Sequence, residues 1–435
     1  MLTNDALHNL SIYSLLQSRE AEKRPIRVAV VGAGAAGRSI ALQLCTPVPG
    51  IRLVGISNRT LAHAVRSFRE AGIEHWALSS TAGQAEATIR QGVPAITEDS
   101  CVLTRCDAVD VIVEVTGTAD FGASVVLDAI NHRKDTVMVN AELDSLIGPL
   151  LKARADEAGV ILTHTDGDEP GVAMTLLRYL QSVGLRPVAA GNIKGMVDHY
   201  RTPDTQRGFA KERDLDVKKV TSFADATKLS METCVLANAT GFRVGRRGMY
   251  GPQCSHVREL AHLLPAEAML SGGIIDYSLG AEPHTGSFVV VHEDNPFKQA
   301  QLAYYKLGSG PFYVFHTPFH LPHIQLASTI ARAVLHRDAT AAPIAGPKCE
   351  VVATAKRNLK TGEYLDGVGG FCAYGLIENY AVARAGNALP IALSEGCVLV
   401  RDVKKDAMIT LGDVKFPRTG LAHDLWKEQQ KQWPF

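Results

Sequence analysis

Three charged residues in one short segment have the spacing needed to handle a proton. Lys228 and Glu232 lie four residues apart, and the pattern predicts that they share one face of a helix, with Asp225 one turn earlier. An ammonium group held by a carboxylate in a closed cleft can give a proton to an oxygen or stabilise an alkoxide. On residue types alone, the alternative is an exposed helical ion pair worth roughly a few tenths of a kcal/mol.

A further lysine and two adjacent carboxylates are candidates for the same kind of chemistry. Lys194 follows a predicted strand, so we expect its ammonium group to bind a carbonyl or phosphate, with a surface turn as the alternative. Asp168 and Glu169 would point to opposite sides of an extended backbone. One of them is expected to act as an acid or base or to bind a divalent ion. Helix capping before Pro170 is the alternative.

Histidines recur in the aromatic segment FYVFHTPFHLPH. We expect His316 and His320 to bind a phosphate or hydroxyl group of a substrate, and satisfied core histidines are the alternative. A zinc site is a less favoured alternative, because the His-x3-His spacing spans Pro318 and neither a carboxylate nor a cysteine lies at ligand spacing. The metal requirement stays open.

Glycines in VAVVGAGAAGRSIALQL stand between a strand predicted at 26–31 and a helix predicted at 38–44, with a second strand at 51–56. This context is typical of a dinucleotide site, in which the glycines allow a tight turn and a close approach to the pyrophosphate. A glycine turn without a ligand is the alternative. The cofactor contacts are assigned to Gly32, Gly34, Ala35, Ala36 and Gly37.

The residues after the second strand bear on the choice of cofactor. An NAD site usually has an acid about twenty residues beyond the glycines, and this chain has Ser57, Asn58, Arg59 and Thr60 instead. A guanidinium group suits a 2′-phosphate, because it can donate two hydrogen bonds to it. We therefore predict NADPH, bound by Asn58 and Arg59, with NADH as the alternative.

Polar residues also follow two later strands. Thr116 and Gly117 end the strand predicted at 109–115 and are expected beside the nicotinamide, since ligands of open α/β sheets bind at the carboxyl edge. Asn140 follows the next strand and is expected to hold the nicotinamide or the substrate. Asp144 has helix capping as an equal alternative.

The elements that position these residues alternate between strand and helix over the first third of the chain, which predicts an α/β fold with a doubly wound parallel sheet. The further strands are predicted at 109–115, 136–139 and 160–163, and the helices at 121–131 and 146–157. This regular alternation ends near residue 165. We therefore expect a Rossmann-type domain over 1–165.

A different organisation is expected after residue 166. The predicted elements are a helix at 171–183, strands at 188–195, 286–291 and 310–315, and a helix at 323–336, with a charged stretch of loop and short helix at 198–219. A Pro/Gly/Ala-rich linker follows at 341–348. The expected parts are an α+β domain over 166–322, a returning helix and linker over 323–346, a small mostly β domain over 347–420 and a tail over 421–435.

Composition limits the class of protein. The 435 residues include 45 Lys and Arg, 45 Asp and Glu and 46% hydrophobic residues, so a large core is expected and a disordered chain is excluded. Zero net charge gives no basic excess for nucleic acid or an anionic membrane. The eight scattered cysteines are expected to be reduced in the cytoplasm. The N-terminus, with an amphipathic pattern at Leu7, Leu10, Ile12, Leu15 and Leu16, lacks a signal-peptide pattern.

Several motifs carry a family resemblance. VVGAGAAG, VEVTGT, VMVNAELD, GNIKG and DATK resemble the homoserine dehydrogenase superfamily over about 26–336. Ala141 stands where those enzymes carry Lys, and Lys194-Gly195 where they use Asn-Gly. The chain is more similar to homoserine-dehydrogenase-like proteins that end in a SAF domain, which include the second type of 1-deoxy-D-xylulose 5-phosphate reductoisomerase (DXR-like). The matching stretches include GDEPG, DATKLSMETCVLANATG, GMYGP, GGIIDYSLG, GSGPFYVFHTPFHL, ATAKRNLKTGEYLD and LVRDVKKDAMITLGDV.

This resemblance implies a catalytic and dimerisation domain after the Rossmann domain, a C-terminal SAF domain and a homodimer or larger homo-oligomer. It implies an NADPH-dependent oxidoreductase acting on a small anionic substrate, either a reductoisomerase or a dehydrogenase of a sugar-derived or amino-acid-derived compound. A protein that binds NADPH without catalysis is a further alternative. The implied catalytic residues are Lys228, Lys194, Asp225 and Glu169, and the implied substrate-binding residues are Asn140, Asp168, Glu232, His316 and His320.

Overall fold

The computed structural model describes residues 11–46, 48–344, 346–417 and 420–434. It divides into two compact units. Unit 1 comprises Met1–Asn140, Leu151–Gly167 and Leu321–Thr340, and unit 2 comprises Ala141–Leu150, Asp168–His320 and Ala341–Phe435. The predicted amphipathic positions Leu7 and Leu10 lie outside the described residues.

The strands are β1 (Ile26–Val31), β2 (Ile51–Ser57), β3 (Ala77–Leu78), β4 (Ala95–Thr97), β5 (Val111–Glu114), β6 (Asp135–Met138), β7 (Leu162–His164), β8 (Arg186–Lys194), β9 (Ile274–Leu279), β10 (Ser287–His292), β11 (Phe312–Thr317), β12 (Cys349–Ala355), β13 (Ala373–Asn379), β14 (Val398–Leu399) and β15 (Val414–Lys415).

The α-helices are α1 (Ile12–Ala21), α2 (Ala35–Cys45), α3 (Leu61–Glu70), α4 (Ala82–Arg90), α5 (Cys101–Thr104), α6 (Ala119–Asn131), α7 (Ala141–Ala158), α8 (Glu169–Ser182), α9 (Pro203–Glu212), α10 (Val217–Ala224), α11 (Thr227–Thr240), α12 (Leu260–Leu263), α13 (Ala266–Leu270), α14 (Pro296–Tyr304), α15 (Pro322–His336), α16 (Tyr380–Ala385) and α17 (Leu421–Gln432). Within the described residues, no helix combines the length and the apolar composition needed to cross a bilayer.

Unit 1 is built on a seven-stranded parallel sheet in the order β3-β4-β2-β1-β5-β6-β7, which confirms the predicted doubly wound α/β fold. Both faces of the central strand β1 are buried. Val28 and Val30 pack with residues of α1, α2 and α15, whereas Ala29 and Val31 pack with residues of α4, α5 and α6. Burial on both faces explains why β1 is a continuous apolar run.

Strand order reverses between β1 and β5, because β2 lies on one side of β1 and β5 on the other. Ligands of open α/β sheets bind at the carboxyl edge of such a switch point. Helix α2 begins at Ala35, immediately after Gly34, and not at Arg38 as predicted. Helix α7 likewise begins at Ala141, so Asp144 lies inside its first turns and is not the N-cap.

Unit 2 contains a four-stranded mixed sheet in the order β11-β10-β8-β9. Alternate residues of β10 face different helices, as the two-residue period of a strand requires. Val289 and Val291 belong to the core that includes α8 and α11, whereas Phe288 and Val290 pack with Val314, α12 and α13. The sheet therefore has two distinct buried faces, here called the α11 face and the α12 face.

Helix α11 joins this sheet to the C-terminal part of unit 2. It is almost wholly buried, and two of its hydroxyl side chains form hydrogen bonds with the backbone of β13. Thr227 Oγ1 accepts a hydrogen bond of 2.8 Å from Gly375 N, and Ser230 Oγ donates one of 3.0 Å to Gly375 O. The two-stranded ladders β12-β13 and β14-β15 lie in this C-terminal part. The expected division into separate domains stays a prediction.

Candidate active site

The glycine loop of unit 1 has the geometry that a dinucleotide site needs. Gly32 has φ +112°, and a Cβ there would lie 2.9 Å from Val115 O. A Cβ on Gly37 would clash with Gly32 O, so the start of α2 packs closely on the loop. A Cβ on Gly34 would meet no described atom within 4 Å. The loop therefore fits a pyrophosphate approaching at Gly34 and the N-terminus of α2.

Asn58, which follows the last residue of β2, forms hydrogen bonds with this loop and with its own segment. Asn58 Oδ1 accepts a hydrogen bond of 3.0 Å from Ala33 N, and its Nδ2 donates one of 2.9 Å to Thr60 O. Arg59 is exposed and forms no ion pair with any described residue. Asn58 thus holds the loop in shape, while the Arg59 guanidinium group is available to an anion.

The ends of β5 and β6 are tied to their own loops. Glu114 is fully buried and accepts hydrogen bonds from Thr116 N, at 2.9 Å, and from Thr116 Oγ1. Gly117 follows with φ +65°. Asn140 is also fully buried, and its Nδ2 donates a hydrogen bond of 2.9 Å to Thr118 O. These contacts fix the backbone at the carboxyl edge where the cofactor was predicted.

Unit 2 brings together a cluster of charged side chains from four separate segments. Asp168 is the N-cap of α8 and Glu169 its first residue. Lys194 ends β8, Lys228 and Glu232 lie on α11, and His320 follows β11. These six side chains are called the charge cluster.

The charge cluster alternates in sign from one neighbour to the next. Glu232 lies between the two lysines, with Oε1 3.7 Å from Lys228 Nζ and Oε2 3.5 Å from Lys194 Nζ. Lys194 also contacts Glu169, whose Oε1 is 3.9 Å from His320 Nε2. Lys228 Nζ is 3.9 Å from Asp168 Oδ2. Each ammonium group is thus held by two carboxylates.

Burial differs between the two signs of charge. The side chains of Glu169, Glu232 and Asp168 are only 2%, 4% and 8% exposed, whereas those of Lys228 and Lys194 are 15% and 24% exposed. The carboxylates are therefore more deeply buried than the lysine side chains. A bound molecule meets positive charge first, which suits a carbonyl oxygen or an anionic group.

Burial and charge shift the proton affinities in this cluster. Burial alone would lower the pKa of Lys194, but Glu169 and Glu232 raise it above its ordinary value. Burial is likewise outweighed at Lys228, where Asp168, Glu142 and Glu232 raise the pKa. Burial and then the negative charge of Glu169 raise the pKa of Glu232 to about 8. Both lysines are charged at neutral pH. The carboxyl group of Glu232 binds a proton at a pH close to neutral.

Asp168, Glu169 and His320 could also hold a divalent ion, since one ligand atom from each lies within 4.8 Å of the others. Two expectations were wrong here. The carboxylates of Asp168 and Glu169 approach a common point, because the extended backbone ends at Asp168 and Glu169 begins α8. His320 does have carboxylates at ligand distance, supplied by a segment remote in sequence.

Asp225 is not part of the charge cluster. Its carboxylate is fully buried and lies 2.8 Å from Lys356 Nζ, which also donates hydrogen bonds of 2.7 Å to Arg201 O and Gly370 O. Burial raises the pKa of Asp225, and Lys356 partly offsets this shift. The predicted grouping of Asp225 with Lys228 was wrong, because Ala226, with φ +70°, turns the chain before α11 begins.

His316 is also separate from the charge cluster. It pairs in register with Phe288, a residue of the α12 face, and its ring meets the edge of His256 at a centroid distance of 5.9 Å. Ser287 and Asn192, which pair with each other across β10 and β8, instead reach toward α8 and α11. His316 therefore lies on the α12 face and does not belong to the charge cluster that includes His320, and substrate binding by the two histidines stays a prediction.

One contributor to the cluster was missed at the sequence level. Asn192 Nδ2 donates a hydrogen bond of 3.0 Å to Glu232 Oε2. It precedes Lys194 by two residues on β8, so the strand period places both side chains on the same face. This two-residue spacing from Lys194 could have identified Asn192 from the sequence.

A family model matches part of the chain. A family model described as the catalytic domain of oxidoreductase DRL matches residues 167–326, which include Asp168, Glu169, Lys194, Lys228, Glu232 and His320. No curated protein matches the chain.

Solved structures of dehydrogenases also match the chain. A homoserine dehydrogenase from Thiobacillus denitrificans has 16% identity and a TM-score of 0.42, covering 76% of this chain and 81% of that chain. A probable dehydrogenase from Thermotoga maritima has 14% identity and a TM-score of 0.41, covering 74% and 91%. A scyllo-inositol dehydrogenase from Lactobacillus casei, with bound NAD(H) and scyllo-inositol, has 12% identity and a TM-score of 0.38, covering 72% and 90%.

The class of protein follows from the fold and the matched domain together. A doubly wound sheet with a dinucleotide-type glycine loop lies in the same chain as a segment that matches an oxidoreductase catalytic domain. The protein is an NAD(P)-dependent oxidoreductase.

Asp225→Asn is expected to lower stability, because it leaves the buried Lys356 ammonium group without its carboxylate. Breaking a buried pair in this way costs about 3–5 kcal/mol. Urea unfolding of Asp225→Asn, Lys356→Met and the double variant measures this loss, and the double variant should recover part of it. An Asp225→Asn protein as stable as the wild type but without turnover would show instead that Asp225 acts in the chemistry.

Glu232→Gln is expected to change how stability depends on pH. The folded protein binds the Glu232 proton more tightly than the unfolded chain, so the free energy of unfolding should fall as pH rises from about 4.5 to about 8. A glutamine side chain at this position cannot ionise. The decrease in the free energy of unfolding that Glu232 causes should therefore be absent in the variant. Urea unfolding between pH 5 and pH 9 tests this, with the exposed Glu267→Gln as a matched control. Equal pH slopes in Glu232→Gln and the wild type would contradict the assignment.

Proposed function

We propose that this protein reduces a small, anionic aldehyde or ketone with NADPH. The observation that carries the proposal is the charge cluster, in which two partly exposed lysine side chains are paired with three buried carboxylates. Such a site stabilises negative charge that develops on a carbonyl oxygen, because its positive groups are held in place before the reaction.

The chain's own residues supply the binding and proton steps. Lys228 and Lys194 bind the carbonyl oxygen, and Lys228 Nζ gives its proton to the alkoxide that forms. Glu232, which carries a proton near neutral pH, restores the proton on Lys228. The cofactor supplies the hydride. Arg59 favours NADPH over NADH, because it offers a guanidinium group where an NAD site usually has an acid.

The substrate that we propose is 1-deoxy-D-xylulose 5-phosphate, reduced to 2-C-methyl-D-erythritol 4-phosphate. Its carbon skeleton first rearranges to an aldehyde, which then accepts the hydride. Two findings support this substrate: the DXR-like motifs along the chain and the match of residues 167–326 to the oxidoreductase DRL catalytic domain. A phosphate group would also be attracted by Lys194 and could accept a hydrogen bond from His320, the two more exposed basic side chains of the cluster.

The wider organisation belongs to the same proposal. We assign the chain to the DXR-like group, with a C-terminal SAF domain over 347–420 and a homodimer formed through the domain over 166–322. A divalent ion bound by Asp168, Glu169 and His320 would add to the positive charge that meets the substrate. Measurement of NADPH oxidation with and without Mg²⁺ therefore tests this part of the proposal.

The proposed reaction is tested by NADPH oxidation with 1-deoxy-D-xylulose 5-phosphate, with and without Mg²⁺. Turnover is expected, with Lys228→Met lowering kcat by about 10²- to 10⁴-fold, the usual contribution of a positioned acid. The exposed Lys211→Met serves as the matched control and should keep the wild-type rate. NADPH binding without turnover would exclude 1-deoxy-D-xylulose 5-phosphate as the substrate. Oxidation of an unphosphorylated hydroxy compound with NADP⁺, without skeletal change, would indicate a plain dehydrogenase.

Arg59→Ala is expected to weaken NADPH binding by about 10- to 100-fold, the cost of losing a charge-assisted contact of about 1.5–3 kcal/mol. NADH binding should stay the same, since NADH lacks the 2′-phosphate. Titration of both dinucleotides by nicotinamide fluorescence measures the two affinities. Arg90→Ala, which removes another exposed arginine of unit 1, is the control. Equal losses for NADPH and NADH would contradict the role of Arg59.

A further inference from the structure

A cavity of about 200 Å³ lies in unit 2 outside the charge cluster. Its walls include Val314 of β11, Ala261 of α12 and the loop 306–310 that precedes β11. Val314 packs with Phe288 and Leu260 in the core of the α12 face. Lys194, in contrast, has the same strand phase as Asn192, which reaches toward α11. The cavity and the charge cluster therefore use opposite faces of the same sheet.

The charged side chains that line this cavity are all basic. Arg258, His262 and Lys306 contribute to its walls, and none of its lining residues is an acid. None of the three forms an ion pair with any described residue. The nearest acid in sequence, Glu259, is engaged elsewhere, since its Oε1 accepts hydrogen bonds from Ser255 Oγ at 2.5 Å and His256 N at 2.8 Å.

The loop Gly308-Ser309-Gly310 adds neutral donors to the same walls. Gly308 and Gly310 have φ values of +114° and +75°, which only glycine adopts readily. Within the described chain, the N–H groups of residues 308–310 and the Ser309 hydroxyl group donate to no protein acceptor. Backbone N–H groups in glycine-rich loops are common ligands of phosphate oxygens.

A neighbouring histidine, His316, is affected by one of the same basic groups. Burial lowers the pKa of His316, and the positive charges of His256 and Arg258 lower it further. His316 lies on β11 with the same strand phase as Val314. These exposed basic groups, with no acid among the residues that line the cavity, give the region a positive potential that attracts an anion.

We propose that this cavity is a binding site for a phosphate monoester with only a few carbon atoms. Arg258 and Lys306 bind the phosphate oxygens, with the 308–310 loop donating further hydrogen bonds. The size sets the limit on the organic part, because pockets for drug-sized ligands measure about 300–1,000 Å³ and this cavity holds about 200 Å³. The site is separate from the reaction proposed above and does not depend on it.

The test is calorimetric titration of the full chain with glycerol 3-phosphate, and with uncharged glycerol as the ligand control, in chloride buffer of constant ionic strength. Glycerol 3-phosphate should bind and glycerol should not. Arg258→Gln and Lys306→Gln should each weaken binding at least tenfold. Both variants should unfold at the wild-type urea concentration, which shows that they are folded.

Two further variants locate the anion. Lys211→Gln removes an exposed lysine outside the cavity and should leave the affinity for glycerol 3-phosphate unchanged. Loss of binding in Lys194→Gln with full binding in Arg258→Gln would place the anion in the charge cluster and overturn the proposal. Equal weakening in Lys211→Gln and Lys306→Gln would show nonspecific attraction, and an absence of binding in the wild type would overturn the proposal directly.

Discussion

The position of Glu232 between two lysines is the interaction on which the rest of unit 2 depends. Its two carboxylate oxygens face Lys228 on the same helix and Lys194 on β8, and Asn192 donates a further hydrogen bond. A buried carboxylate without such partners would cost several kcal/mol, so α11 and β8 have to meet in this register. Glu169 at the start of α8 completes the pairing of Lys194 and fixes the third element at the same point.

The parts of the molecule that the sequence predicted well are those held by local contacts. The glycine loop needs only β1, the start of α2 and the end of β2, which follow one another closely in the chain. The sequence shows its steric requirements directly, because only a glycine at position 37 can pack against the backbone of Gly32. The strand and helix alternation of unit 1 was predictable for the same reason, since each apolar period reports the faces that its own segment buries.

The charge cluster was predictable only as a set of residue types. Its members come from segments separated by many residues, and nothing local specifies which acid meets which lysine. Asp225 illustrates the difficulty, because helical spacing put it near Lys228 while one left-handed residue, Ala226, directs it to Lys356 instead. His316 and His320 separate for a similar reason: β11 ends at Thr317, so the strand period does not extend to His320.

The proton count of the cluster connects its stability with its chemistry. Asp168, Glu169 and Glu232 carry three negative charges when all are ionised, against two positive charges on Lys194 and Lys228. One added proton balances the five groups, and burial together with Glu169 places that proton on Glu232 near neutral pH. Reduction of a carbonyl group to an alcohol consumes one proton with each hydride. The same buried excess of negative charge that reduces stability at high pH therefore stores the proton that carbonyl reduction requires.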